Sequence, residues 1–219
     1  MSDYRDDAAH WEQFYRTHEF PRESSFARFV AGRLSVPTSL VELGCGGGQD
    51  SAFFASIGHH VVAMDRSAAG VEKARAKALS LKGGPIRFVV GDADDDAALA
   101  GVFSDPELRE HGARPVALYV RFFLHAVPQA TEDAILNAAQ RDLDGGFTLA
   151  AEFRTDRDAA LPKAEGVHFR RFIATQDFAA RLAARGFAIE HLEEGFGLSP
   201  YKDEDPHLCR VIARAPARR

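Results

Sequence analysis

The chain is poor in cysteine, with two among 219 residues: Cys45 inside a glycine-rich stretch and Cys209 in a late apolar run. Neither has the spacing of a metal site, and two such thiols make no disulfide framework, so both are expected to be reduced. Long hydrophobic runs are also missing. No stretch of about 18 apolar residues occurs, and the acidic, polar start MSDYRDDAAHWEQF is unlike a signal sequence. A cytoplasmic location without membrane attachment is the resulting expectation. Basic residues are not in excess: 27 Lys and Arg stand against 32 Asp and Glu, for a net charge of −5. That balance argues against a nucleic-acid partner, since such binding rests on a basic footprint, although a local basic patch is compatible with it. Repeats, low-complexity tracts and linkers are absent too. What remains is an ordinary globular composition, 46% hydrophobic and 27% charged, in a chain long enough for one sizeable α/β domain.

Its most informative stretch is LVELGCGGGQDS, Leu40 to Ser51. An apolar run ends at Glu42, passes through Gly44, Gly46, Gly47 and Gly48, and becomes the amphipathic segment Asp50 to Ile57. This reads as strand, tight loop and helix. Glycines let the backbone take positive φ and approach a ligand, and the helix start offers unpaired N–H groups. A dinucleotide fingerprint would need a third glycine where Gln49 stands, and no Lys-Ser or Lys-Thr follows to make a P-loop. The pattern that is present is Glu-x-Gly-x-Gly-x-Gly, on Glu42, Gly44, Gly46 and Gly48.

The rest of the chain alternates. Two helices are predicted over 6–18 and 23–34. After the glycine loop come a strand from His59 to Asp65, a Ser67-capped helix to Leu81, a strand from Ile86 to Gly91, a helix around Ala97 to Phe103, and a strand from Val116 to Phe122. A helix opened by Thr131 and stopped at Gly145 and Gly146 precedes a fifth strand, Phe147 to Phe153. A Thr175-capped helix, a sixth strand from Phe187 and a seventh from Leu208 to Arg214 complete it. The loop GFGLSPYKDEDPH is too short for a helical crossover between the last two strands, so an antiparallel return is expected. The fold class is α/β: a Rossmann-like seven-stranded sheet, mostly parallel with an antiparallel last strand, helices on both faces and extra N-terminal helices. One domain over 1–219 is expected, with an N-terminal helical part over 1–36, a core over 37–153, and a substrate-shaping loop with the C-terminal strands over 154–219.

In open α/β sheets ligands bind beyond the carboxyl ends of the strands. Asp65 ends the second strand, where a carboxylate can accept ribose hydroxyls or, alternatively, cap the helix at Ser67. Asp92 ends the third, where with Ala93 it can hold an adenine or merely enrich the next helix's first turn. Arg121, Phe122 and His125 follow the fourth. His125 can be a general base, given its near-neutral titration, or a structural histidine. Trp11, Phe14 and Tyr15 fall at helical spacing, as a docking stripe or as a lid, and Arg22 can meet a carboxylate.

Glu42 with its glycines, Asp65 and Asp92, in this order, resemble the class I S-adenosylmethionine (SAM) dependent methyltransferases, and ELGCGGGQDSAFFA is particularly similar to a form found in bacterial small-molecule and glycan-associated members. The likeness spans roughly residues 38 to 153. It implies SAM as cofactor, S-adenosylhomocysteine (SAH) as product, and a cofactor site made from Tyr15, Glu42, Gly44, Cys45, Gly46, Asp50, Asp65, Arg66, Asp92, Ala93, Arg121 and Phe122. The sequence lacks the Asn/Asp-Pro-Pro-Tyr/Phe motif of adenine and glutamine amino-methylating enzymes, and it lacks a carboxylate set for catechol-type magnesium, so no metal is expected.

The segment 152–174 carries His168, Arg170 and Arg171, suited to an acceptor bearing phosphate or carboxylate, or else pairing with acidic surface. Tyr201 and Lys202 form a second candidate wall. HFRRFI and SPYKDEDPHLCRVIAR resemble methyltransferases of polysaccharide or phosphorylated-glycan biosynthesis. The resulting expectation is methyl transfer to an oxygen of a small molecule or saccharide, with His125 or His168 as base. N- or S-methylation of a metabolite, or a SAM-binding regulator without catalysis, are the alternatives. Oligomeric state is not legible.

Overall fold

The computed structural model describes residues 7–109, 114–143, 146–163 and 168–217. Two helices, α1 (Ala8–Thr17) and α2 (Ser25–Ala31), precede β1 (Ser39–Leu43). The chain then runs α3 (Gln49–Ser56), β2 (His60–Asp65), α4 (Ala68–Ala78), β3 (Ile86–Val90), α5 (Asp96–Phe103), α6 (Pro106–Arg109) and β4 (Val116–Arg121). It ends with α7 (Gln129–Asp142), β5 (Thr148–Arg154), α8 (Thr175–Ala184), β6 (Ala188–Gly195) and β7 (Leu208–Arg214). Single 3-10 turns sit at Leu124–Ala126 and Asp156–Asp158.

The seven strands form one sheet in the order β3-β2-β1-β4-β5-β7-β6. The first five pair in parallel; β7 runs antiparallel between β5 and β6, the return that the short connecting loop requires. Alternation along each strand sorts the core into two layers. Val41, Leu43, Val62, Met64, Leu118 and Val120 pack with Leu99, Ile135 and Phe178 of α5, α7 and α8. Leu40, Val61, Ala63, Ala117 and Tyr119 pack with Phe26, Phe54, Val71 and Ala74 of α2, α3 and α4. Tyr119 sits between Phe26, stacked at 5.3 Å, and Phe54, edge-on at 5.1 Å. Each such fully buried ring contributes about 1.5–3 kcal/mol by leaving water.

Some helix ends differ from expectation. Ser67 does cap α4, accepting Gly70 N–H at 3.1 Å, but α4 stops at Ala78 rather than Leu81, and Leu79 is 90% exposed. Thr131 does not open α7, which starts at Gln129 behind Pro128; its hydroxyl bonds Asp94 instead. Thr175 is the first residue of α8 and not its cap. In both cases the chain already turns into the helix from a residue with extended backbone, and the threonine side chain faces the interior. Gly145, expected to stop α7, lies outside the described residues, as do 1–6 of the N-terminal part and 164–167 of the substrate-shaping loop. No helix among the described residues is long and apolar enough to cross a membrane.

Candidate functional site

Beyond the carboxyl ends of β1 to β5 lies a cavity of about 530 Å³, within the usual range for small-molecule sites. Its floor is the glycine loop. Gly44 and Cys45 N–H groups donate to Met64 O at 2.8 and 3.2 Å, pinning the loop to the end of β2. Gly44 has φ +76, and a Cβ there would meet the Phe123 ring at 2.5 Å; at Gly46, φ +51, it would meet the Tyr15 hydroxyl at 2.4 Å. Both positions exclude a side chain for conformational and spatial reasons.

Three carboxylates stand around this floor. Asp65 accepts Gly46 N–H at 2.7 Å and Ser67 N–H at 2.8 Å, joining the glycine loop to the start of α4. Burial raises its pKa, and those two N–H bonds oppose the shift. Glu42 accepts the Ser51 hydroxyl; burial, then the charge of Asp50, pushes its carboxyl well above the ordinary range. Asp50 accepts Ser24 N–H at 2.7 Å, Ser24 Oγ–H at 2.8 Å and Tyr119 O–H at 2.7 Å, and so fastens α3 to the start of α2 and to β4. At the far end Asp92 pairs with Arg66 at 3.2 Å, beside buried Ala93. Cys45 is buried, and burial pushes its thiol well above the ordinary range; Cys209 is pushed up to about 12. Both are free thiols.

The roof is α1, which buries none of its residues fully but lays Trp11, Phe14 and Tyr15 along the cavity. It is fastened on two sides. Glu12 accepts Ser67 Oγ–H at 2.8 Å and Ala69 N–H at 3.1 Å, completing the first turn of α4, and Lys73 Nζ donates to His18 O at 3.2 Å. On the other side Asp7 accepts Phe169 N–H at 2.5 Å, and His10 stacks on His168 at 4.4 Å.

Much of the remaining lining is aromatic and cationic: Phe14, Phe20, Arg22, Arg121, Phe122, Arg154, His168, Arg170 and Tyr201. Phe122 has φ +52, uncommon for a bulky residue and placed where the chain leaves β4. Its ring carries the guanidinium of Arg121 at 4.5 Å and of Arg154 at 5.8 Å. Arg121 is held by Glu152, a fully buried carboxylate that also receives Arg210 and Ser199. Among the described residues no group of three His, Cys, Asp or Glu is placed to hold a metal.

Of the residues singled out in the sequence, Tyr15, Arg22, Glu42, Gly44, Cys45, Asp50, Asp65, Arg66, Asp92, Ala93, Arg121, Phe122, His168, Arg170 and Tyr201 all line this cavity. Four do not. Gly46 lies beneath the Tyr15 hydroxyl. Lys202 sits with its Nζ 4.9 Å from the Tyr201 ring centre, outside the lining. His125 is buried in the 3-10 turn, where Nδ1 accepts Arg154 N–H at 3.2 Å. Burial, then the charges of Arg154, Arg170, His168 and Arg171, holds its pKa well below the ordinary value, so it is a weak base. Arg171 donates to Leu124 O at 3.0 Å, to Val127 O at 3.2 Å and to Glu132; it clamps the 3-10 turn to α7 rather than facing an acceptor. The sequence reading missed Arg154, which ends β5, although inspection of every strand end would have found it. It also missed Phe123 and Ser24, for which no local signal exists.

Residues 40–105 match the family model of a methyltransferase domain. Against curated protein sequences the chain has no significant match. It is similar in fold to a SAM-dependent methyltransferase from Anabaena variabilis, at TM-score 0.68 and 16% identity over 95% of this chain and 94% of that one. A SAM-dependent methyltransferase from Methanosarcina mazei gives TM-score 0.67 and 16% identity over 91% and 99%. The glycopeptide N-methyltransferase MtfA complexed with SAM gives 0.63 and 16% over 90% and 96%.

Proposed function

We propose that this chain, a class I SAM-dependent methyltransferase by the domain match of residues 40–105 and by its sheet order, methylates an oxygen of a small acceptor held beneath α1. When bound, SAM supplies an electrophilic methyl group on a sulfonium centre. The residues present fit it. Glu42 offers a buried carboxyl oxygen to the cofactor's ammonium group, whose positive charge would favour the ionised form that burial and Asp50 oppose. Asp65 spends one lone pair of each oxygen on the protein, leaving the others for ribose hydroxyls, and Asp92 with Ala93 stands at the adenine end.

The observation that carries this reading is that one cavity joins those carboxylates to the aromatic and cationic wall. Such a site binds two molecules side by side, and its work is positioning, which is worth about 7–11 kcal/mol when reacting atoms are held in near-attack geometry. α1 acts as a lid: its aromatic residues exclude water, and Glu12 and Lys73 fasten it over α4. His168 is the imidazole that lines the cavity, and a hydroxyl acceptor gives its proton there; an acceptor that is already an anion needs no base. Flat rings at Phe14, Phe20, Phe122 and Tyr201 suit the apolar face of an aromatic ring or a sugar.

The test is calorimetric titration of SAM and SAH into wild type and Asp65→Ala, followed by transfer from labelled SAM to an acceptor panel. Micromolar binding to wild type, weakened about 10- to 100-fold in the variant, is expected from the loss of charge-assisted hydrogen bonds. Folded wild type that binds neither ligand would sink the reading.

A further inference from the structure

We infer that the acceptor carries an oxyanion, a carboxylate or a phosphate, and that Arg121 and Arg154 clamp it across the ring of Phe122. The inference deepens the proposed function and rests on it.

The donors provide the first ground. Arg121 gives its Nε–H to Glu152 at 3.1 Å and makes no other hydrogen bond among the described residues. Arg154 uses only Nη1, toward Asp158 at 2.7 Å and Glu204 at 2.5 Å. A guanidinium has five N–H groups, so each keeps donors without a protein partner, although the side chains are only 19% and 11% exposed. Both line the cavity, and their remaining N–H groups open into it. A planar fork of N–H groups matches two oxygens of one oxyanion.

Placement provides the second. Both guanidinia face one ring, and that ring belongs to a residue held in the left-handed region. The ion pairs to Glu152 and Asp158 hold the two cations beside this ring before any ligand arrives, which removes part of the ordering cost of binding.

Charge provides the third. Glu152, which holds Arg121, is shared with Arg210 at 2.6 Å; Asp158, which holds Arg154, is shared with Lys163 at 3.3 Å. With Glu204, and with Glu193 at 3.8 Å from Arg210, four carboxylates face four cations in this cluster, so the ion pairs leave no surplus of negative charge against an arriving anion. Burial, first, holds the pKa of His125 low, and the nearby charges of Arg154 and Arg170 lower it further.

The one tryptophan of the chain, Trp11, lines the cavity, so its emission reports occupancy. Protein saturated with SAH is titrated with benzoate, phenyl phosphate and the neutral benzamide. At least one anion is expected to bind about tenfold or more tighter than benzamide and to weaken at high salt, and the benzoate and phenyl phosphate arms tell the two oxyanions apart. Arg154→Lys, which keeps the charge beside Asp158 but loses the fork, is expected to weaken that anion about tenfold while SAH affinity stays within about threefold of wild type. Equal binding of all three probes, or no binding of either anion, overturns the inference while SAH binding keeps the cofactor reading intact; this comparison needs no variant. Wild type that fails to bind SAH overturns both.

Discussion

Replacing Glu152 by glutamine keeps the shape of the side chain and removes its charge, which makes the buried hub under the cavity wall a direct test of what holds that wall. The carboxylate is fully buried; it receives Arg210 Nε–H at 2.6 Å, Arg121 Nε–H at 3.1 Å and Ser199 Oγ–H at 3.0 Å. Taking one partner from a buried ion pair costs about 3–5 kcal/mol, because the remaining charge stays out of water without compensation. Here the lower end applies. Arg210 keeps Glu193 at 3.8 Å, and Arg121 opens to the cavity. A loss of about 3 kcal/mol lowers the melting temperature of a chain of this size by roughly 6–12 °C. Arg210 also donates to Leu198 O and Ser25 Oγ, both at 2.8 Å, so the loop after β6 and the start of α2 loosen together. The assay is thermal and urea unfolding of wild type, Glu152→Gln, Arg210→Met and the double variant. The double variant removes the orphaned cation, so it is expected to cost at least about 1 kcal/mol less than the two single losses together. A fall of under about 2 °C for Glu152→Gln, or strict additivity in the double variant, refutes the reasoning.

Two further predictions use other parts of the site. Gly46→Ala forces a left-handed alanine, at about 1–2 kcal/mol, and drives a Cβ into the Tyr15 hydroxyl; SAH affinity is expected to fall about tenfold or more and to recover partly in Gly46→Ala/Tyr15→Ala. Unchanged SAH binding by the single variant in calorimetry would contradict the packing of α1 on the glycine loop. His125 has a folded pKa below its unfolded value of about 6.5, so the unfolded chain binds more protons beneath that pH; its contribution is complete above about pH 6.5 and is lost as pH falls toward the folded pKa, at up to about 1.4 kcal/mol per unit. His125→Gln, which can still accept Arg154 N–H, is expected to flatten melting temperature against pH across that window and to keep most turnover; identical slopes in the two proteins, or lost turnover, would count against a structural role.

The parts of the site that rest on strand ends were legible, because period-two apolar runs and the glycines after β1 mark where the sheet stops. Glu42, Asp65 and Asp92 could therefore be placed side by side without coordinates. The antiparallel β7 was legible for a related reason: the loop from Gly195 to His207 is too short for a crossover. What failed depended on backbone direction over a few residues. A positive φ at Phe122 cannot be read from a phenylalanine, yet it leads the chain into the 3-10 turn where His125 is buried and is not among the residues that line the cavity. Arg170 and Arg171 are adjacent and chemically alike; beside the Thr155–Ile173 bridge, one lines the cavity and the other reaches Glu132. Composition gives the pair, and only the fold decides which member faces a ligand.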